Sequence, residues 1–305
     1  MKTTRKVVIF FLTISYLFSY ENKFSYKHSE GESSTISLNH SPDFDYREDG
    51  YTRIAQVGDG HTAIEGLPEL PSFSTFYQID PSKIYDFQIK IIDSYILENI
   101  QIIPHQGMQK WEVENITIIN EDVYDSFLPF PEKNINVSET MQGRGIAFVS
   151  VEVIPYKYYP KNNRLEVYTS IDIQINELND NIEGKLNQPK RSYIFDEFYK
   201  NLIVNFESSN QSENYQASSI LYIAGGNWLD NDYVLDLLEW RHKQGYIVTA
   251  VSTSDIGASS GNENTIKNYI KEAYETWENP PEIVGLIGDT NVIDCFYQDW
   301  GTGGW

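Results

Sequence analysis

The sequence predicts a β-sandwich followed by the first half of an α/β domain built on a parallel sheet. Period-2 apolar runs crowd residues 51–176, which is the pattern of antiparallel strands with one buried face. Three short apolar runs alternate with two helical patterns across residues 219–289, the signature of βαβαβ. Only residues 290–305 follow the third run, whereas doubly wound sheets usually hold about five or six strands, so the α/β domain reads as truncated.

Residues 1–20 read as a secretory signal. Lys2, Arg5 and Lys6 supply the positive start, and residues 7–18 (VVIFFLTISYLF) form an apolar core too short for a spanning helix. A membrane anchor is the alternative. The expected location is therefore secreted or cell surface, and no other apolar run is long enough to cross a bilayer. Residues 21–50 read as a polar, irregular tail. Residues 51–190 carry the sandwich, with strands expected at 52–57, 73–79, 84–92, 95–102, 111–119, 146–156 and 164–175. The last of these alternates through Leu165, Val167, Ile171, Ile173 and Ile175, and Asn162-Asn163 before it is a hairpin turn signal. Residues 191–218 comprise a helix or extended arm and then a linker rich in Ser, Asn and Gln.

Residues 219–305 hold the α/β segment. Its strands are expected at 220–224, 246–251 and 283–287. Asp230 is a candidate N-cap for the first helix, Val234, Leu235, Leu238 and Trp240 recur near a 3.6 period, and Gly245 stands where a left-handed residue ends the turn. The second helix starts near Asn264 or Thr265, places Ile266, Ile270, Ala273, Tyr274 and Trp277 on one face, and stops before Pro280-Pro281. Open parallel sheets hold ligands at the carboxyl ends of their strands. Those ends are Gly225-Gly226-Asn227, residues 252–255 and Gly288-Asp289-Thr290-Asn291.

Composition narrows the chemistry. With 23 basic against 44 acidic residues the net charge is −21 and the pI near 4.5, which argues against nucleic acid or an anionic membrane as partner. The single cysteine, Cys295, forms no intramolecular disulfide. As a nucleophile it would need a base within hydrogen-bond reach, and the one histidine of the α/β segment, His242, falls on a helix beside Lys243. No catalytic dyad is therefore expected within the chain. His28, His40, His61 and His105 show no ligand spacing, so no zinc site is expected. The segment GGNWLD lacks the third glycine of a phosphate loop and carries the bulky Trp228. Asp289 is read first as a turn cap, with cation binding or orientation of a catalytic group as alternatives. Lys190-Arg191 is a dibasic pair, either two solvated charges or a processing site.

Five pieces in order carry a resemblance: GLPELP at residues 66–71, LLEWRHKQGYIVTAVSTSDI at 237–256, NTIKNYIKEAYETW at 264–277, Pro280-Pro281, and IVGLIGDTNVI at 283–293. Together they resemble the gingipain family, peptidase family C25, of secreted bacterial cysteine peptidases. The resemblance implies a caspase-like, three-layer α/β catalytic domain behind a β-sandwich prodomain that acts as an intramolecular inhibitor. It implies protein and peptide substrates, and a Cys nucleophile with a His partner working through a thiolate and an acyl-enzyme. Both catalytic residues are expected beyond Trp305, which leaves this chain inactive by itself. No cofactor is implied for catalysis; calcium is implied as a structural ion, with Asp255, Asp289 and Asp294 as oxygen donors in suitable loops. The alternative is a non-catalytic secreted binding or surface protein with a degenerate α/β segment, its contacts made by exposed aromatics such as Tyr156, Tyr158 and Tyr159.

Overall fold

A computed structural model describes residues 24–28, 33–55, 58–107, 117–181, 184, 191–206, 215–258 and 263–296. The expected signal, the strand expected at 111–119 (apart from its last residues, which are not a strand), Lys190 and most of the linker lie outside the described residues.

The first sheet is organised around one long strand. It contains β1 (Phe24–His28), β2 (Ser33–Asn39), β7 (Lys83–Glu98), β11 (Tyr156–Tyr159) and β12 (Arg164–Asp180). β7 runs antiparallel along nearly all of β12, while the other edge of β12 is shared by β11 at its start and β2 further on. The second sheet holds β5 (Gly60–His61), β6 (Pro71–Ile79), β8 (Ile135–Val137), β9 (Met141–Gly143) and β10 (Ile146–Val153), all antiparallel. A small pair, β3 (Phe44–Tyr46) with β4 (Thr52–Ile54), and a one-turn helix α1 (Glu121–Tyr124) complete this region.

Alternation builds the core. Ile171, Ile173 and Ile175 on β12 and Ile36 and Leu38 on β2 are buried against Phe73, Tyr77, Val149, Val151 and Val153 of the second sheet. A second cluster around Leu70, Ile102, Tyr156, Tyr158, Leu165 and Val167 seals one end. Two expectations are corrected here. The described part of the expected irregular tail at residues 21–50 is not irregular: β1, β2 and β3 form there, and β2 zips onto Ser170–Asn176 of β12. The strands expected at 84–92 and 95–102 merge into one that ends at Glu98, because an irregularity opposite Thr169 absorbs the break in pattern and pairing resumes beyond it, while Asn99 at φ 59° turns residues 99–102 out of the strand.

Helix α2 (Tyr193–Leu202) is capped by Ser192, whose hydroxyl accepts from the Phe195 amide, and packs Tyr199 against Ile146 and Ile203. The α/β unit follows: β13 (Ser219–Ala224), α3 (Asp232–Lys243), β14 (Ile247–Ser252), α4 (Glu263–Thr276) and β15 (Ile283–Ile287). The sheet is parallel in the order β14-β13-β15, so β13 is central and buried along its whole length. Asn231 rather than Asp230 caps α3, since residues 228–230 form a 3-10 turn first; Gly245 ends it at φ 93°. α4 covers one face of the sheet, placing Ile266 and Ala273 on Leu221, Ile223 and Ile293.

Candidate functional site: the strand ends and the unit boundary

The order β14-β13-β15 creates a switch point at the carboxyl ends of β13 and β15, the place where open α/β sheets bind ligands. Val292 occupies it. A Cβ on Gly225 would stand 2.6 Å from Val292 Cγ2, and one on Gly288, at φ 145°, would stand 2.7 Å from the same atom. The glycines are there so that the loop after β15 can fold back over the strand ends.

Asp289 caps that loop. Its carbonyl accepts from the Val292 and Ile293 amides at 2.9 Å each, and its carboxylate accepts from the Thr290 amide at 2.6 Å. Asp255 is likewise committed: its carboxylate accepts from the Ser252 hydroxyl at 2.7 Å and the Ser252 amide at 3.0 Å, and these bonds hold it below the usual carboxylate range. Asp255, Asp289 and Asp294 are not gathered within ligating distance, so these residues do not fit a shared calcium ion. Cys295 is exposed, and His242 is exposed on α3 with Nδ1 3.1 Å from the Tyr246 carbonyl oxygen. The described residues therefore bring no thiol and imidazole together as a dyad.

The densest polar chemistry lies at the opposite end of the parallel sheet, where the sandwich meets it. The β9–β10 hairpin turns through Arg144 and Gly145, at φ 47° and 79°, both left-handed as in a two-residue I′ turn. Arginine is an unusual choice there, costing about 1–2 kcal/mol relative to glycine. Its side chain accounts for the choice. Arg144 is buried, donates to the Gln216 side-chain oxygen at 3.2 Å and to the Pro281 carbonyl, and its guanidinium lies 5.4 Å from the Phe195 ring centre and 5.0 Å from that of Tyr274. Burial draws its pKa below the ordinary arginine value. Gly143 beside it makes room for Tyr199, whose hydroxyl would lie 2.5 Å from a Cβ there. Gln216 in turn donates to the Pro280 carbonyl at 2.8 Å, and so does the Ser219 hydroxyl at 2.8 Å. One residue of the sandwich thus grips the starts of β13 and β15.

A second tie spans the linker. Arg191 pairs with Asp196 through two bonds, 3.0 and 2.7 Å, with both side chains nearly buried, and its backbone bridges Tyr215. The Tyr215 hydroxyl donates to the same carboxylate, which raises its pKa, and its ring stacks on Tyr193 at 3.9 Å. Arg191 is therefore not a solvated charge. Tyr156 and Tyr158 are corrected as well: both are fully buried, and Tyr159 lies 4.9 Å under the Arg164 guanidinium, so they form no exposed aromatic contact face. Two histidines expected to be scattered, His61 and His105, are in fact neighbours beside Glu69.

Residues 44–213, more than half of the chain, match the family model Propeptide_C25, and residues 213–297 match Peptidase family C25. The chain belongs to the C25 family. Its C25 propeptide match covers most of the sandwich together with α2, and its C25 peptidase match covers the parallel sheet, the two meeting within the segment between Arg191 and Tyr215. Among curated relatives, Gingipain R1 of Porphyromonas gingivalis is 23% identical over 251 residues, covering 80% of this chain and 25% of the relative. Gingipain R2 of the same species is 22% identical over 253 residues, covering 80% of this chain and 34% of the relative. The chain thus spans between a quarter and about a third of the length of these relatives. A solved complex of Porphyromonas gingivalis RgpB pro- and mature domains aligns with a TM-score of 0.48 at 18% identity, covering 60% of this chain and 96% of that one.

Proposed function

We propose that the chain is the N-terminal part of a secreted cysteine endopeptidase precursor. Its sandwich is an inhibitory propeptide, and its parallel sheet is the opening of a caspase-like catalytic domain. The observation that carries this reading is the C25 peptidase match laid directly over β13, α3, β14, α4 and β15. Arg144 supports the propeptide role, because a charge buried in a partner surface is sustained only where its hydrogen bonds are met, and here the partner surface is the peptidase sheet.

On this reading the chain supplies scaffold rather than chemistry. The cysteine nucleophile and its histidine come from peptidase segments pairing beside β15, whose residues Ile283, Val284 and Leu286 are exposed although apolar. Residues 1–20 direct export and protein or peptide bonds are the substrate. Reading the transcript past Trp305 tests the proposal: a His followed by a Cys at later strand ends is expected, and a reading frame without them overturns it. Chain 1–305 assayed alone is expected to cleave no peptide substrate, and Cys295→Ser in the complete protein is expected to leave activity unchanged.

A further inference from the structure

We propose that the sandwich carries a binding site for a zinc-class divalent cation formed by His61, Glu69 and His105. Each offers one ligand atom, the three atoms lie within 4.8 Å of one another, and all three residues are half-buried. The His105 ring nitrogen Nδ1 stands 3.2 Å from Glu69 Oε2, and the His61 and His105 rings lie 5.1 Å apart between centres.

The backbone holds these residues together before any ion arrives. His61 pairs with Pro71 across the β5–β6 ladder, and Pro68 bridges Pro104. The Glu69 amide donates to the Ile103 carbonyl at 2.9 Å, the His105 amide to the Leu67 carbonyl at 2.7 Å, and the Thr62 amide to the Leu70 carbonyl at 2.9 Å. The ligands therefore sit on three adjacent extended segments, with only side-chain rotations left to bring nitrogen and oxygen to bonding distance. A site whose segments are already tied by backbone hydrogen bonds loses little order when it binds, which favours affinity.

The donor set selects the ion. Two imidazoles and one carboxylate suit zinc and its neighbours, whereas calcium takes oxygen ligands. Three protein ligands leave a fourth position for water. A cavity of about 190 Å³ lined by Arg53, Ile54, His61, Glu69 and Pro71 gives access to it. Arg53 opposes the cation: its Nε lies 2.9 Å from Glu69 Oε1, so it orients the carboxylate while placing a positive charge nearby. The site joins β5, the GLPELP segment and the segment at residues 103–105, and its role is to pin these three segments together.

The experiment uses the full chain stripped of metal and titrated with zinc chloride by calorimetry, with thermal melts in zinc and in calcium. One zinc per chain and a melting temperature raised by zinc but not by calcium are expected. His61→Ala and His105→Ala should each weaken zinc binding by at least about a hundredfold, the upper end of what loss of an outer partner costs. His28→Ala and His242→Ala should bind as the parent does, and Arg53→Gln should bind more tightly. Cobalt chloride gives a readout on the unaltered chain: intense visible bands of four-coordinate cobalt are expected. Absence of stoichiometric zinc binding, absence of those bands, or equal stabilisation by calcium overturns the proposal. So does unchanged binding by a folded His61→Ala or His105→Ala chain.

Discussion

The two sheets of the sandwich and the sheet around β13 solve the same burial problem to different degrees. In the sandwich, both inner faces meet, so Ile171, Ile173 and Ile175 are sealed by residues from the facing sheet. In the parallel sheet β13 is buried on both faces, yet Ile283, Val284 and Leu286 on neighbouring β15 remain exposed. The contrast separates two steps that are often merged. An apolar β-run plus a crossover helix is enough to form and align a parallel strand, but the strand's burial comes from what packs beside and beneath it.

Alkaline pH should divide the two regions most. Burial pushes Tyr77 and Tyr158 of the sandwich up to about 12 and raises Tyr124, Tyr156 and Tyr168 further. A phenol held neutral in the fold adds stability that is complete below its unfolded value near 10 and is lost as pH rises through the folded value. Sandwich stability should therefore fall between roughly pH 10 and 12, with tyrosinate absorbance appearing together with loss of strand signal in circular dichroism. Tyrosinate appearing before unfolding would show that these phenols reach water in the native state.

Ile173→Ala should cost about 3–4 kcal/mol in urea unfolding, the usual price of truncating a sealed core residue. Leu286→Ala should stay within about 0.5 kcal/mol. A large loss at Leu286 would mean that β15 is covered in solution and would erase the contrast. Asp196→Ala leaves Arg191 nearly buried without its carboxylate and should cost about 3 kcal/mol, seen as a lower urea midpoint. Arg144→Gly keeps the hairpin and relieves its left-handed residue while losing the guanidinium bonds, for a net cost of about 1–2 kcal/mol. Its sharper signature is calorimetric: one melting transition should resolve into two, one for each region.

Legibility in the sequence followed the range of the interactions. The elements of the α/β unit were readable to within a residue or two because caps, glycines and helical periodicity are local; Gly245 and the Pro280-Pro281 stop are examples. β2 was not readable, since SSTISLN offers only Ile36 and Leu38 as an alternating signal and its polar flanks resemble a tail. The cluster of His61, Glu69 and His105 is assembled by the Pro68–Pro104 bridge, which no spacing rule encodes. Arg144 reads as an ordinary turn residue until Gln216 and Pro281 arrive from across the boundary. The carboxylates of Asp255 and Asp289, by contrast, do what short-range turn chemistry predicts, each accepting from a residue close to it in the chain.

The bridge between Arg191 and Tyr215 bears on how a precursor of this design would mature. Residues 207–214 lie between two anchored points, with Arg191 bonded to Asp196 and Tyr215 bonded to the same carboxylate. A single nick in that stretch would cut the chain without parting the pieces, because the new ends stay clamped on either side and Arg144 still grips the sheet. Scission and release are then separate events with separate barriers, and a nicked but still associated species should accumulate between them.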